Sequence, residues 1–240
     1  MTHLRFEVLR MLRNPVFYGL TVGLPLVLFY SIATAERHKT FDGTSFPLYF
    51  MTAMAAYGVM WATVGSGARI SRDRATGWLR QVRTTPLRTR TDFTAKVAGA
   101  YLLALPTLVL LLLAGATLGV RLGAAQWLEL AGLLLAGLAP FIVIGFIVGY
   151  LLPGDAIAAY SGVVLLFALL GGVFGIQLAT SGPMFDIIKG LPSYWLVQAG
   201  KTALGGGGWP AEAWIVVAVW TIVLIPLAAL AYRRSASKAS

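Results

Sequence analysis

The feature that most constrains this chain is a series of six long stretches without a single Asp, Glu, Lys or Arg. Each stretch has 20 to 30 residues, and they occupy 14–35, 43–68, 97–120, 130–152, 156–185 and 213–232. A helix needs about 20 mostly apolar residues to cross the roughly 30 Å of hydrocarbon in a bilayer. The pattern therefore predicts an all-α polytopic membrane protein with six transmembrane helices.

Composition supports the same class of protein. Apolar residues make up 58% of the 240 residues and charged residues only 12%, against about 25% charged residues in a soluble domain. The first apolar stretch is longer than the core of a signal peptide, so we expect it to be retained. We predict one transmembrane domain, 1–240, with spans at about 15–35, 46–68, 97–120, 129–152, 156–180 and 212–232.

The distribution of positive charge predicts the orientation. Of the 19 Lys and Arg residues, 14 lie in 1–14, 69–96 and 233–240, which six spans place on one side, and five lie on the other side. Cytoplasmic loops carry the excess of Lys and Arg. Both termini and the 69–96 loop are therefore predicted to be cytoplasmic, and the net charge of +10 needs no nucleic-acid partner to explain it.

Two further segments complete the predicted layout. Residues 1–14 place Leu4, Val8 and Met11 on one helical face, which indicates an amphipathic helix along the membrane interface. The outer segment before span six is broken by Gly190, Pro192 and four consecutive glycines. It contains apolar pieces too short to span, so a re-entrant or interfacial hairpin is predicted there.

Prolines and glycines inside the spans predict kinks and close contacts. Pro106 and Pro140 each remove a backbone donor and can bend spans three and four. Glycines spaced four residues apart allow two membrane helices to approach closely. The pairs with this spacing are Gly115 and Gly119, Gly145 and Gly149, and Gly171 and Gly175.

Catalytic motifs are missing from the sequence. The two histidines, His3 and His38, fall on opposite sides of the predicted membrane, and cysteine is absent. No phosphate-binding G-x-x-x-x-G-K-[ST] loop occurs, and no span has a central charge that could relay protons or bind a driving ion. We expect no catalytic residue, no metal site and no cofactor on this chain.

The basic loop contains the most informative motif, RDRATGWLRQVRTTPLRTRTDFTAK at 72–96. It resembles the cytoplasmic loop between spans two and three of ABC-2 type transporter permeases, which typically has E-R-E-x-G-T-L-x-x-L-x-x-T-P followed by a basic residue. The matching positions are Asp73, Gly77, Leu79, Val82, Thr85, Pro86 and Lys96. Aspartate replaces the usual glutamate at Asp73, and Trp78 replaces the usual threonine. The predicted layout resembles the same family over essentially the whole chain.

The resemblance implies a non-catalytic permease subunit of a bacterial ABC exporter in the plasma membrane. Two permease chains, as a homodimer or with a similar paralogue, would associate with two ABC ATPase subunits that bind the ATP and Mg²⁺. A short coupling helix from the loop would dock on the ATPase, whose closure switches the spans between inward and outward states. The residues implied in coupling are Asp73, Gly77, Trp78, Leu79, Arg80, Val82, Arg83, Thr85 and Pro86.

The residue types in the loop suit such docking. Trp78, Leu79 and Val82 form an apolar ridge on a helix, of the kind that anchors in a protein groove. Arg80 and Arg83 can pair with acids at the rim of the groove. The alternative interpretation is that the basic residues only hold the loop at anionic lipid, at about 1 kcal/mol for each residue. Membrane lipids are in either case expected partners.

The uncharged spans favour a hydrophobic or amphipathic substrate, such as a drug, an antibiotic or a lipid-like molecule. Scattered polar residues are the candidates for a substrate path, although each could instead form a hydrogen bond between helices. They are Thr21, Thr52, Tyr57, Thr63, Tyr160, Ser161 and Gln177. Two other functions stay open: a scaffold, sensory or immunity subunit that binds an ATPase without moving a substrate, and a membrane-embedded enzyme.

Overall fold

The computed structural model describes residues 19–41, 43–75, 89–152, 157–174, 181–205 and 207–237. A π-helical turn, Gly19–Gly23, leads into the first α-helix. The α-helices are α1 (Leu24–Ala35), α2 (Phe46–Ala75), α3 (Thr89–Thr117), α4 (Ala124–Ala136), α5 (Ala139–Leu151), α6 (Ile157–Leu170), α7 (Pro183–Lys189), α8 (Pro192–Gly205) and α9 (Ala211–Ser237). The predicted amphipathic helix at 1–14 and coupling helix lie outside the described residues.

Four described stretches are long and apolar enough to cross a membrane. They are Phe46–Arg74, Phe93–Thr117, Ala124–Leu151 and Ala211–Ser235, and they overlap predicted spans two, three, four and six. The shorter apolar helices Thr21–Ala35 and Ala159–Leu170 lie within predicted spans one and five. Those two spans continue into residues outside the described ranges, so the count of six stays a prediction. The protein is a predominantly helical membrane protein.

Helix α2 forms the centre of the bundle. All of its residues from 47 to 67 are buried, because α1, α3, α5, α6 and α8 pack around it. Helices α3 and α9 instead expose apolar side chains such as Leu113, Ile215 and Ile222, which suits contact with lipid. The bundle has two ends, named here after the first and last residues of α2 as the Phe46 end and the Ala75 end.

The fourth predicted span is broken in its middle, between α4 and α5. Pro140 has no N–H to donate to the carbonyl of Ala136, and a proline ring clashes with that carbonyl in a continuous helix. Leu138 N accordingly bonds to Leu135 O, three residues back, at 3.3 Å. The α-helical hydrogen-bond pattern is therefore interrupted before Pro140, while Gly137 and Leu138 keep helical backbone angles, and a bend of the helix axis at this point stays a prediction. Pro106, in contrast, lies inside the uninterrupted helix α3.

The segment before α9 folds as two short helices, α7 and α8, joined at Gly190. Trp220 Nε1, on α9, donates a hydrogen bond to Gly190 O at 2.8 Å. Trp220 lies nine residues after Ala211, so the tip of the α7–α8 hairpin reaches about 13 Å along α9. Helix α8 is mostly buried against its neighbours. Its depth in the bilayer stays a prediction.

A small β-hairpin joins α1 to α2, which the all-α prediction missed. Strand β1 (Thr40–Phe41) pairs antiparallel with β2 (Thr44–Ser45), with Thr40 opposite Ser45 and Phe41 opposite Thr44. Gly43, in the turn, has a φ of +74°, a backbone conformation that glycine adopts without steric cost. The Asp-Gly pair in the sequence is a typical hairpin signal.

Candidate functional site

Among the predicted coupling residues, Asp73 is the one that the structure describes. It lies in the last turn of α2 and is partly buried. Gly77, Trp78, Leu79, Arg80, Val82, Arg83, Thr85 and Pro86 lie outside the described residues. What the structure gives instead is the environment of the two helix ends that flank them, Ala75 of α2 and Thr89 of α3.

The end of α2 is attached to the end of α5. The last carbonyls of a helix have no partner within the helix, and at α5 side chains of α2 bind them. Ser71 Oγ lies 2.9 Å from Gly149 O and 2.6 Å from Leu152 O. Arg74 Nη1 donates to the same two oxygens at 3.2 and 3.4 Å. The guanidinium charge also lies at the negative end of the α5 dipole, where a cation is stabilising.

Helix α6 joins this contact through Tyr160. Its hydroxyl lies 3.1 Å from Ser71 Oγ. A serine hydroxyl has one proton to donate, and the carbonyls around Ser71 can only accept. Ser71 therefore donates to a carbonyl of α5, and Tyr160 donates its proton to Ser71 Oγ. This one serine connects α2, α5 and α6.

The start of α3 contacts the same part of α5. Lys96 Nζ donates to Tyr150 Oη at 3.3 Å and lies 5.8 Å from the centre of the Tyr150 ring. One turn earlier on each helix, the rings of Phe93 and Phe146 meet edge to face with centroids 5.3 Å apart. Both ends of the 76–88 segment are thus attached to the last two turns of α5.

Helix α9 also contacts this part of α5. The rings of Tyr150 and Tyr232 are 5.3 Å apart and nearly perpendicular. We name this group of contacts the α5 platform, made of Ser71, Arg74, Phe93, Lys96, Phe146, Gly149, Tyr150, Leu152, Tyr160 and Tyr232. Its hydroxyls, cations and carbonyls are hydrogen-bonded to one another across helices, so they fix the relative positions of these helices.

Next to the α5 platform, the backbones of α2 and α5 are in direct contact. A Cβ on Gly67 would lie 2.8 Å from the carbonyl carbon of Gly145 and closer still to its oxygen. A Cβ on Gly149 would lie 2.5 Å from Gly67 O, and one on Gly145 would lie 2.7 Å from Thr63 O. The predicted role of Gly145 and Gly149 in close packing is thus confirmed, because no side chain separates the two backbones at these positions.

The other predicted glycine pairs have mixed outcomes. Gly115 packs against the side chain of Met51, and Gly171 packs against Ser193. Gly119 has open space around its Cα and a φ of +86°, so it serves a turn after α3. Gly175 lies outside the described residues.

The predicted substrate-path residues are dispersed over the bundle. Thr52 and Thr63 are fully buried on α2, where their hydroxyls donate to carbonyls of their own helix, Leu48 O and Val59 O, both at 2.9 Å. Thr21 is buried in the π-helical turn, and Tyr57 packs its ring on Phe174. Tyr160 belongs to the α5 platform. Ser161 is partly buried beside it, and Gln177 lies outside the described residues.

Two buried hydroxyls that the sequence pattern did not single out have no hydrogen-bond partner among the described residues. They are Thr107 Oγ1 on α3, whose methyl group Cγ2 faces Gly58, and Ser193 Oγ on α8, which lies beside Gly171. Both side chains are fully buried. A single-sequence pattern cannot identify such groups, because each one depends on which helix packs against it. Within the described ranges, no three His, Asp or Glu side chains come together as a metal site would require.

Comparison with known proteins shows a similarity that covers nearly the whole chain. No protein-family model matches the sequence, and no solved structure matches it. The chain is similar to a curated protein of Bacillus subtilis (strain 168) named "Putative transport permease YvfS". The two are 24% identical over 231 residues, which cover 95% of this chain and 94% of the relative. The similarity thus extends over nearly the whole chain.

Proposed function

We propose that this chain is the permease subunit of an ATP-driven ABC exporter of the ABC-2 type. The observation that carries the proposal is the similarity to a named transport permease along 95% of the chain. The loop motif from Asp73 to Pro86 supports the more specific assignment to the ABC-2 type. Because the chain has no nucleotide-binding loop, the energy must come from a separate subunit.

The proposed complex contains two permease chains, as a homodimer or with a similar paralogue, and two ABC ATPase subunits that hold ATP and Mg²⁺. It lies in the bacterial plasma membrane with the Ala75 end and both termini in the cytoplasm. This orientation places the α5 platform at the inner membrane surface, next to the segment that would contact the ATPase. Arg and Lys residues at that end also suit contact with anionic lipid headgroups.

The 76–88 segment is the proposed contact with the ATPase. Trp78, Leu79 and Val82 would anchor in a groove of the partner, and Arg80 and Arg83 would pair with acids on its rim. Movement of this segment reaches the bundle through its two ends. Both ends are attached to α5, by Ser71 and Arg74 on one side and by Lys96 on the other.

A hydrophobic or amphipathic molecule is the proposed substrate. The six charge-free stretches contain no Asp, Glu, Lys or Arg, and a strongly ionic substrate would need partner charges in the membrane. A path along the buried face of α2 would require α2 to separate from its neighbours, because Thr52, Tyr57 and Thr63 are enclosed in the described conformation. Alternating access by separation of packed helices fits this requirement.

The test is co-purification with an ABC ATPase, sought first among the products of genes adjacent to the gene for this chain. In mild detergent, the proposal predicts a complex of two permease and two ATPase chains whose ATP hydrolysis rises with a transported hydrophobic compound. Inside-out vesicles should accumulate that compound only when ATP is present. An ATPase complex that hydrolyses ATP but never accumulates any compound would favour the scaffold or sensory function. A monomer that transports without an ATPase would overturn the proposal.

A further inference from the structure

We infer that the broken span α4–α5 acts as a hinged lever between the α5 platform and the α7–α8 hairpin. The inference rests on the proposed transport function and names the residues that transmit movement within it. Gly137, Leu138 and Pro140 form the hinge. Gln126 and Glu129 are positioning residues that hold the hairpin on the far arm of the lever.

The two halves of the broken span have different packing partners. Helix α5 packs against α2 and α9, whereas α4 packs mainly against α8. A continuous helix would force both halves to move together. The break instead separates a half that is attached to the platform from a half that is attached to the hairpin.

On the α5 side, the attachment is close and polar. Gly145 and Gly149 contact the backbone of α2 directly. Ser71 and Arg74 bind the terminal carbonyls of α5, and Tyr150 contacts both Lys96 and Tyr232. A displacement of the 76–88 segment therefore moves α5 together with α2 and α9.

On the α4 side, two polar side chains hold the far end of the hairpin. Gln126 Nε2 donates to Leu204 O, in the last turn of α8, at 3.2 Å. Glu129 Oε1 accepts a hydrogen bond from Gly208 N at 2.8 Å. Gln126 Oε1 also accepts from Gly123 N at 2.8 Å, which fixes its amide for donation to Leu204. Gln126 and Glu129 are three residues apart and so lie on the same face of α4.

The hinge itself contacts the hairpin. A Cβ on Gly137 would lie 2.5 Å from Leu196 Cδ2 and 2.9 Å from Trp209 Cη2. The opposite end of the hairpin is held by α9, through the hydrogen bond from Trp220 to Gly190. When α4 tilts about the hinge, α8 must follow at its Leu204 end and pivot near Gly190.

The pivoting helix lies against the centre of the bundle. A Cβ on Gly200 would lie 3.1 Å from Thr52 Cβ, so α8 is packed closely on α2 at this point. Rotation of α8 away from α2 would expose the Phe46 end of α2. We therefore assign to the lever the opening of the outer side of the bundle in response to the ATPase.

Distances between spin labels test the hinge directly. The chain has no cysteine, so cysteines at Leu128 on α4, Leu151 on α5 and Leu230 on α9, which are all exposed, carry the only labels. Leu128 and Leu151 span the hinge, whereas Leu151 and Leu230 lie on one side of it. Trapping the ATPase complex with ATP should shift the first distance and leave the second unchanged. Pro140→Ala, which restores the missing donor, should abolish that shift and lower substrate-stimulated hydrolysis while the complex stays assembled.

Pro106→Ala is the matched control, since it removes a proline from a helix that is not broken. It should keep the ATP-dependent shift. A Leu128–Leu151 distance that does not change with ATP, or that changes equally in Pro140→Ala, would overturn the lever. If no ATPase binds, the proposed function fails, and the hinge is then judged in nanodiscs without the partner. In nanodiscs, the distribution of distances between labels at Leu128 and Leu151 should be broader with Pro140 present than in Pro140→Ala. Equal widths would refute the hinge.

Discussion

Replacement of Gly67 by alanine should separate α2 from α5 and lower the stability of the protein. The new Cβ would lie 2.8 Å from the carbonyl carbon of Gly145. Non-bonded carbon atoms need about 3.5 Å, so the two backbones must move apart by about 0.7 Å, and by more at the oxygen. Overpacking of this kind typically costs about 1–3 kcal/mol, and a rigid backbone neighbour places Gly67→Ala near the upper value.

Alanine also gains about 1 kcal/mol over glycine in a helix interior. The net loss for Gly67→Ala is therefore about 2 kcal/mol, which at 2–4 °C for each kcal/mol lowers the Tm by about 4–8 °C. Thermal unfolding in detergent, followed by loss of the monodisperse peak, measures this change. Gly162→Ala is the matched control, because a Cβ there meets nothing within 4 Å and should leave the Tm unchanged or raise it. Equal Tm values for Gly67→Ala and Gly162→Ala would refute the backbone contact between α2 and α5.

The other predictions concern orientation and the α5 platform. Reporter fusions after Arg88 and Ser240 should be cytoplasmic and one after Gly207 external, and a cytoplasmic reporter at Gly207 would contradict the proposed topology. Ser71→Ala removes the hydroxyl that joins three helices and should cost about 1–3 kcal/mol, because the Tyr160 hydroxyl loses its bond to Ser71 and the two α5 carbonyls keep, among the described residues, only Arg74 as a side-chain donor. Tyr160→Phe removes only the bond to Ser71 and should cost about 0.5–1.5 kcal/mol. If Tyr160→Phe destabilises the protein more than Ser71→Ala does in the same Tm assay, the assigned direction of the hydrogen bonds is wrong.

The apolar helices could be predicted from the sequence because the free-energy cost of placing a segment in the bilayer depends mainly on the residues of that segment. A charge-free stretch of 20 residues is visible in the letters alone, and four described stretches meet the requirements of a membrane span. The glycines at 145 and 149 were also visible as a pair with the correct spacing. Their partner Gly67 was not, because the sequence does not show which helix packs on which.

Whether a proline interrupts its helix likewise depends on the residues and helices around it. Pro106 and Pro140 carry the same local defect, yet only the second lies at a break in the described helices. Gly137 precedes Pro140 by three residues and adds the low helix propensity of glycine. The side chains of Leu196 and Trp209 also fill the space beside Gly137. The helix is therefore interrupted where two residues of low helix propensity, Gly137 and Pro140, coincide with a tertiary contact.

The α5 platform could not be predicted, because its hydrogen bonds join residues far apart in the sequence. Ser71 and Leu152 are 81 positions apart, and Lys96 and Tyr150 are 54 apart. For Thr52 and Thr63, the difficulty is that the sequence does not show which group a polar side chain in a span binds. As polar residues in a span they were candidates for a substrate path, and in the described conformation their hydroxyls are satisfied by their own helix.

The most direct test of the account is the ATP hydrolysis rate of the partner ATPase measured with this chain in nanodiscs. Truncation of a buried anchor typically costs about 2 kcal/mol or more, which weakens association about 30-fold. Trp78→Ala or Leu79→Asp should therefore abolish regulation of hydrolysis while the permease stays inserted. Replacement of Arg88 and Arg90 by Gln should have a small effect that fades with salt. Loss of ATPase association in the arginine variant, with full regulation retained in Trp78→Ala, would contradict the proposed contact.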